Sequence, residues 1–136
     1  MSGPITELSS LLATLSPARN PGIWVYCSVP LGFDVAGLQP VVTVREQEGR
    51  TLVLAEEAAE RAGLTILYRA AWITLTVHSD LEAVGLTAAV AAALTADGIS
   101  CNVVAGAHHD HLFVPVAMAE QAMEALRQLQ RVSERS

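Results

Sequence analysis

The run Gly106-Ala107-His108-His109-Asp110-His111-Leu112-Phe113-Val114-Pro115 gathers three of the chain's four histidines beside an aspartate. His108, His109, Asp110 and His111 are all metal-ligating residue types. On an extended strand His109 and His111 project to one face, and His108 and Asp110 to the other. A His-x-His pair can clamp zinc or copper, but a catalytic zinc needs three protein ligands and a structural one four. The only other histidine is His78. A neighbouring His and Asp can also poise an imidazole near neutral pH for proton transfer. Hydrolysis would further need a nucleophile, and neither Ser79 nor Ser100 stands in a G-x-S-x-G elbow. The glycines are scattered singly at element ends, so no phosphate-cradling loop is present. The preferred reading has no metal, no cofactor and no enzymatic activity. The alternative is a metal-binding protein or metal-dependent enzyme built on His108–His111.

A second stretch with chemical potential is residues 77–100, VHSDLEAVGLTAAVAAALTADGIS. Gly85, just before or inside the first turn of a helix, allows close approach of a ligand or of another backbone. The amides of residues 80–86 leave a helix N-terminus unpaired, which suits a carboxylate.

The remaining elements must hold these two stretches in place. Pro4 opens an amphipathic helix over 4–15 on Ile5, Leu8, Leu11, Leu12 and Leu15. SPARNPG, 16–22, reads as a loop, and Ile23–Val29 as a strand. Residues 30–40 are irregular and bracketed by prolines. Val41–Glu46 alternates, QEG turns, and Thr51–Leu54 returns, which predicts a hairpin. Its charges Arg45, Glu46, Glu48 and Arg50 suit an exposed, soluble edge. A helix over 55–62 closes at Gly63, and Leu64–Arg69 is the next strand.

Trp72–His78 alternates as a strand. SDLEAVG, 79–85, leads into a helix with Ser79 or Asp80 as candidate N-cap. Leu86, Val90 and Leu94 stack along that helix, which ends at Gly98. Strands follow at Ile99–Ala105 and Leu112–Val116, with the histidines at their connection. Ala119, Ala122, Met123, Leu126 and Leu129 mark a last amphipathic helix, and RVSERS reads as a polar tail. The pattern predicts an α+β chain of two ferredoxin-like, βαββαβ-type halves with antiparallel sheets. The expected units are 1–70 and 71–136. Each lacks one strand at an end, to be completed by the other half or by a second chain.

Composition narrows the function. Half of the 136 residues are hydrophobic, with few aromatics, so Val, Leu, Ile and Ala must build the core. The net charge is −6, and all eight basic residues are arginine. Such a chain has no basic face for nucleic acid. It also has no lysine to form a Schiff base. Cys27 and Cys101 sit in apolar runs, as buried free thiols of a reducing compartment do. Residues 1–15 do not form a secretory signal. The longest nearly apolar stretch, 83–96, is shorter than the ~18–20 residues of a membrane span. A soluble, cytoplasmic protein with no membrane partner is expected.

Strand, Asp80, a spacer, Val84-Gly85-Leu86, and an alanine-rich helix ending Asp97-Gly98-Ile99-Ser100 together resemble the ACT domain. The likeness covers about 72–129, down to His109-Asp110-His111-Leu112-Phe113-Val114. With TVREQEGRTLVL at 43–54, the whole chain is similar to small bacterial tandem ACT-like proteins. The resemblance implies a regulatory module that binds a small molecule, an amino acid above all, and assembles as a homodimer or higher homo-oligomer. It places the ligand at the loop Ser79, Asp80, Leu81 to Leu86, with the amides near Val84, Gly85 and Leu86 receiving a carboxylate. Asn102 and Val104 on the second strand would line the other side. Asp110, with His108 on its face, would hold the ligand's cation.

Overall fold

The computed structural model describes residues 7–77 and 81–135. In chain order the elements are α1 (Leu8–Ala13), β1 (Pro17–Val29), β2 (Val42–Arg45), β3 (Arg50–Ala55), α2 (Glu56–Arg61) and β4 (Tyr68–Leu75). They continue as α3 (Leu86–Ala96), β5 (Asn102–Ala105), β6 (Asp110–Pro115), a 3-10 turn at Val116–Met118, and α4 (Ala119–Glu134). The chain divides into two compact units, one of Pro21–Ala71 and one of the segments on either side of it. Strands β1 and β4 each give one end to each unit.

In the inner unit the strand order is β2-β3-β1-β4. The hairpin expected at 41–54 is present, with Val42 opposite Val53 and Arg45 opposite Arg50. Its turn is closed by Glu46 and Gly49, each bonding the other's backbone. β1 runs antiparallel to β3, from Trp24 opposite Ala55 to Val29 opposite Arg50. Alternation along both strands turns Val25, Cys27, Val29, Leu52 and Leu54 onto Ala58 and Ala59 of α2. In the place where a βαββαβ module has its first helix, the proline-bracketed stretch after β1 lays Val35 and Leu38 on that core instead. The unit is ferredoxin-like with one helix replaced by a loop.

In the outer unit the order is β1-β4-β6-β5. The strand missing after the last helix is supplied by the start of β1. Residues 16–22, expected as a loop, are therefore largely strand. β3 pairs with β1 only from Trp24 onward, so Pro17 and Pro21 face no ladder on that side and their absent N–H groups cost nothing there. Thr76 N–H and Oγ1 both bond the Ser16 carbonyl, at 3.4 and 2.8 Å. Asn20 Nδ2 reaches the Trp72 carbonyl at 3.3 Å.

Several boundaries differ from expectation. The two strands expected at 64–69 and 72–78 are one strand, β4. Nothing in Tyr68-Arg69-Ala70-Ala71-Trp72 turns the chain, and both alanines are small enough to be buried within the sheet. β5 begins at Asn102 rather than at Ile99. Ile99 N–H instead bonds the Leu94 carbonyl and Gly98 N–H that of Thr95, a Schellman closure of α3 that buries Ile99 against the helix. β6 starts earlier than expected, at Asp110, and α4 runs on through most of the expected tail.

Helices α1, α3 and α4 pack against one another. Their apolar stripes, Leu11 and Leu12, Leu86, Val90 and Leu94, and Ala122, Met123 and Leu126, are all buried. Burial of such stripes is worth roughly 1.5–3 kcal/mol per large side chain. The sheet meets them with Ile73, Leu75, Leu112 and Val114.

Candidate functional site

The hairpin between β5 and β6 carries the histidine run. Asn102 lies opposite Phe113, Val103 opposite Leu112, Val104 opposite His111 and Ala105 opposite Asp110. Gly106 N–H bonds the His109 carbonyl at 2.9 Å and closes the turn. The approach is so tight that a Cβ on Gly106 would stand 2.9 Å from that oxygen and 3.3 Å from His111 Nε2. Strand alternation then divides the run between two faces.

One face looks at α3. Asp110 and Leu112 line a narrow seam with Leu75, Val103, Leu86, Thr87 and Val90. Asp110 is the buried charged residue there, only 9% exposed. Its carboxyl accepts no hydrogen bond from any described residue. Burial raises its pKa above the ordinary 3.8, while the nearby His111 and His109 act in the opposite, lowering direction. A buried carboxylate without a donor is costly unless something supplies one. Leu86 and Thr87, on the same seam, belong to the first turn of α3.

That turn starts from Gly85, not from Ser79 or Asp80. Gly85 is the N-cap with φ +98°, contributes no side chain to cap the turn, and bonds Ala89 N–H through its carbonyl at 2.9 Å. The left-handed conformation favours glycine, and the approach of Leu8 Cδ2 to 3.2 Å from a notional Cβ adds to the demand. The loop before it exposes Leu81 and Val84, at 69% and 83%. His78, Ser79 and Asp80 lie outside the described residues.

The opposite face holds His111 and Phe113. Trp72 Nε1–H donates to His111 Nδ1 at 3.1 Å, and Thr74 Oγ1 stands 3.3 Å from the same nitrogen. Asn20 Nδ2 donates to Thr74 Oγ1 at 3.0 Å, and the Trp72 ring stacks on Phe113 at 6.3 Å. Asn102 and Val104 belong to this face, as the partners of Phe113 and His111. The structure thus brings Leu86 and Asp110 together with Gly85 at the head of the helix, and sets Asn102 and Val104 across the sheet from them. His108 is exposed in the turn. Sequence reasoning missed Thr87, Leu8 and the Trp72–Thr74 pair. The alternation of Trp72 and Thr74 was a signal for the last of these.

Among the described residues, no three of His, Cys, Asp and Glu converge as metal ligands would. His111 Nδ1 is already engaged by Trp72. Burial pushes both thiols up, that of Cys101 to about 11, so neither is a thiolate nucleophile near neutral pH. No helix among the described residues is long and apolar enough to cross a membrane.

A ferredoxin-like arrangement made twice by one chain defines an α+β protein of tandem modules. Family models described as ACT domain match residues 3–71 and 68–128. The chain belongs to the ACT domain family, with two such domains in tandem. A Vibrio cholerae protein of unknown function, described as a possible transport protein, is 48% identical. The match covers 90% of this chain and 95% of that one, with a TM-score of 0.83. The ligand-free regulatory subunit of aspartate kinase from Thermus thermophilus is 12% identical, over 85% of this chain and 97% of that one, with a TM-score of 0.64. Aspartokinase III of E. coli, in complex with aspartate and ADP, is 13% identical over 83% of this chain and 32% of its own, with a TM-score of 0.63. At those identities the two kinases share the fold. No curated protein matches the chain. ACT domains are typically ligand-binding regulatory modules.

Proposed function

We propose that this chain is a non-catalytic sensor that binds an amino acid at the head of α3 and works as a homodimer or higher homo-oligomer. The observation that carries the reading is Asp110, a buried carboxylate that accepts no hydrogen bond from any described residue, on one seam with the first turn of α3. An amino acid supplies both missing partners. Its carboxylate meets the amides of that turn, where the helix dipole favours negative charge. Its ammonium meets Asp110, a charge-assisted contact in a partly dry site.

The seam has no room for a water-sized guest, so the ligand would sit at its mouth, and the loop before α3 exposes Leu81 and Val84. These two exposed apolar side chains suit coverage by a second copy of the chain. A ligand held at such an interface shifts assembly by linkage, because it favours whichever state it contacts best. The ligand-binding regulatory role of ACT domains and the fold shared with kinase regulatory subunits support this reading.

The test is calorimetry of the full chain against the common amino acids, with sedimentation to follow assembly. At a hundredfold excess over Kd a ligand should add about 2.7 kcal/mol of stability. If no amino acid binds at millimolar concentration, the reading fails.

A further inference from the structure

The inner unit carries a cleft of its own, beside α2. A βαββαβ module lays its first helix next to its second. Here a loop takes the place of that first helix, and between loop and α2 an open cleft of about 300 Å³ remains. This is the lower end of the ~300–1,000 Å³ of small-molecule sites. The loop lines it with Phe33, Asp34, Gly37 and Leu38, and α2 with Ala58 and Arg61, which share a helix face three residues apart. Leu38 and Ala58 belong to the apolar core of the unit, and Phe33 is left 38% exposed. The two charges are opposite in sign and come from different elements. Ala36 N–H donates to Asp34 Oδ1 at 3.0 Å, which fixes that carboxylate within the loop and leaves Oδ2 to a ligand. Arg61 forms no ion pair with any described residue.

We propose that this cleft is a second small-molecule site, and that it takes a compact zwitterion with an apolar side chain. The Arg61 guanidinium receives the ligand's carboxylate, for which its planar fork is suited. The Asp34 carboxylate receives the ammonium. Phe33 and Leu38 cover the apolar part, the ring adding its preference for another ring or for aliphatic groups. A ligand with only one charge satisfies one of the two side chains and gives up the other contact. The site shares no residue with the one proposed at α3, lies in the other unit, and stands without it. Gly37 offers a way to close the cleft. Its backbone is not in the left-handed region, and a Cβ there meets nothing within 4 Å, so a side chain can be added without strain.

The test titrates the intact chain with phenylalanine and with leucine to millimolar concentration, read by the NMR shifts of backbone amides. Saturable shifts are expected at residues 33–38 and 58–62. Phenylpropanoate, which lacks the ammonium, and phenylalaninamide, which lacks the carboxylate, should each bind at least fivefold more weakly than phenylalanine. Asp34→Asn keeps an acceptor for Ala36 N–H and should erase the advantage over phenylpropanoate. Arg61→Gln should erase the advantage over phenylalaninamide, and Gly37→Leu should abolish the shifts in a chain that still folds. No saturable shift at these residues with either amino acid overturns the proposal. So does binding there that survives Gly37→Leu, or that the singly charged analogues match. Shifts confined to residues 81–90 and 110–112 overturn it as well, and leave the reading at α3 standing.

Discussion

The indole N–H of Trp72 points at Nδ1 of His111 across 3.1 Å, and so requires that nitrogen to be unprotonated. One strand residue of β4 thereby selects the neutral form of a histidine on β6. Burial, the larger cause, and His109 both lower the His111 pKa from 6.5, while Asp110 acts in the raising direction.

The folded chain therefore holds this proton less readily than the unfolded chain. Its contribution to stability is present above 6.5 and is lost as the pH falls through the lowered folded value. Chemical melts from pH 7.5 down to 5 should show stability falling with pH. His111→Asn should flatten that slope. In a Trp24→Phe background, Trp72 fluorescence should report the same step, with its midpoint below that of a free imidazole.

Asp110 works with the opposite sign. Its pKa is raised above 3.8, so its contribution to stability is present below that value and is lost as the pH rises through the folded value. At neutral pH it is a cost to the unliganded fold. Asp110→Asn should raise stability by about 1 kcal/mol while weakening ligand binding, the trade expected of a functional residue. Urea melts without ligand, set beside calorimetry, check both halves.

Gly85→Ala should destabilise by about 1–2 kcal/mol, from the left-handed backbone and from the 3.2 Å approach of Leu8. The two causes separate in a double-mutant cycle. Adding Leu8→Ala should recover the steric part and leave the backbone part. Full additivity of the two losses would show that the contact with Leu8 is not what opposes the alanine.

Gly106→Ala meets backbone rather than a yielding side chain, the His109 carbonyl at 2.9 Å. A loss of about 1–3 kcal/mol is expected, as for overpacked sites. The strain falls on the hairpin that aims Asp110 and His111. Hydrogen exchange should therefore quicken first at the amides of residues 110–114.

Much of the fold was legible because local rules agree with each other. The 42–55 hairpin follows from alternation around a polar turn, and α3 and α4 from apolar residues at helical spacing. Where long-range pairing decides, local signals misled. Pro17 and Pro21 read as a loop because a proline cannot donate to a ladder, yet no ladder bond is asked of them on the β3 side. The strands expected at 64–69 and 72–78 were read as separate from local pattern alone, and β4 runs straight through residues 70 and 71.

By itself, the sequence determined the element types, the negative charge and the two stretches able to do chemistry. These depend on composition and on periods of two and 3.6, which short segments carry alone. Only the tertiary structure decided that residues 7–20 pack with the C-terminal segment, and that Asp110 faces α3 while Asn102 and Val104 share the face of His111 and Phe113. A strand's alternation says which residues share a face. Which face meets the helices depends on chain packed from far away in the sequence.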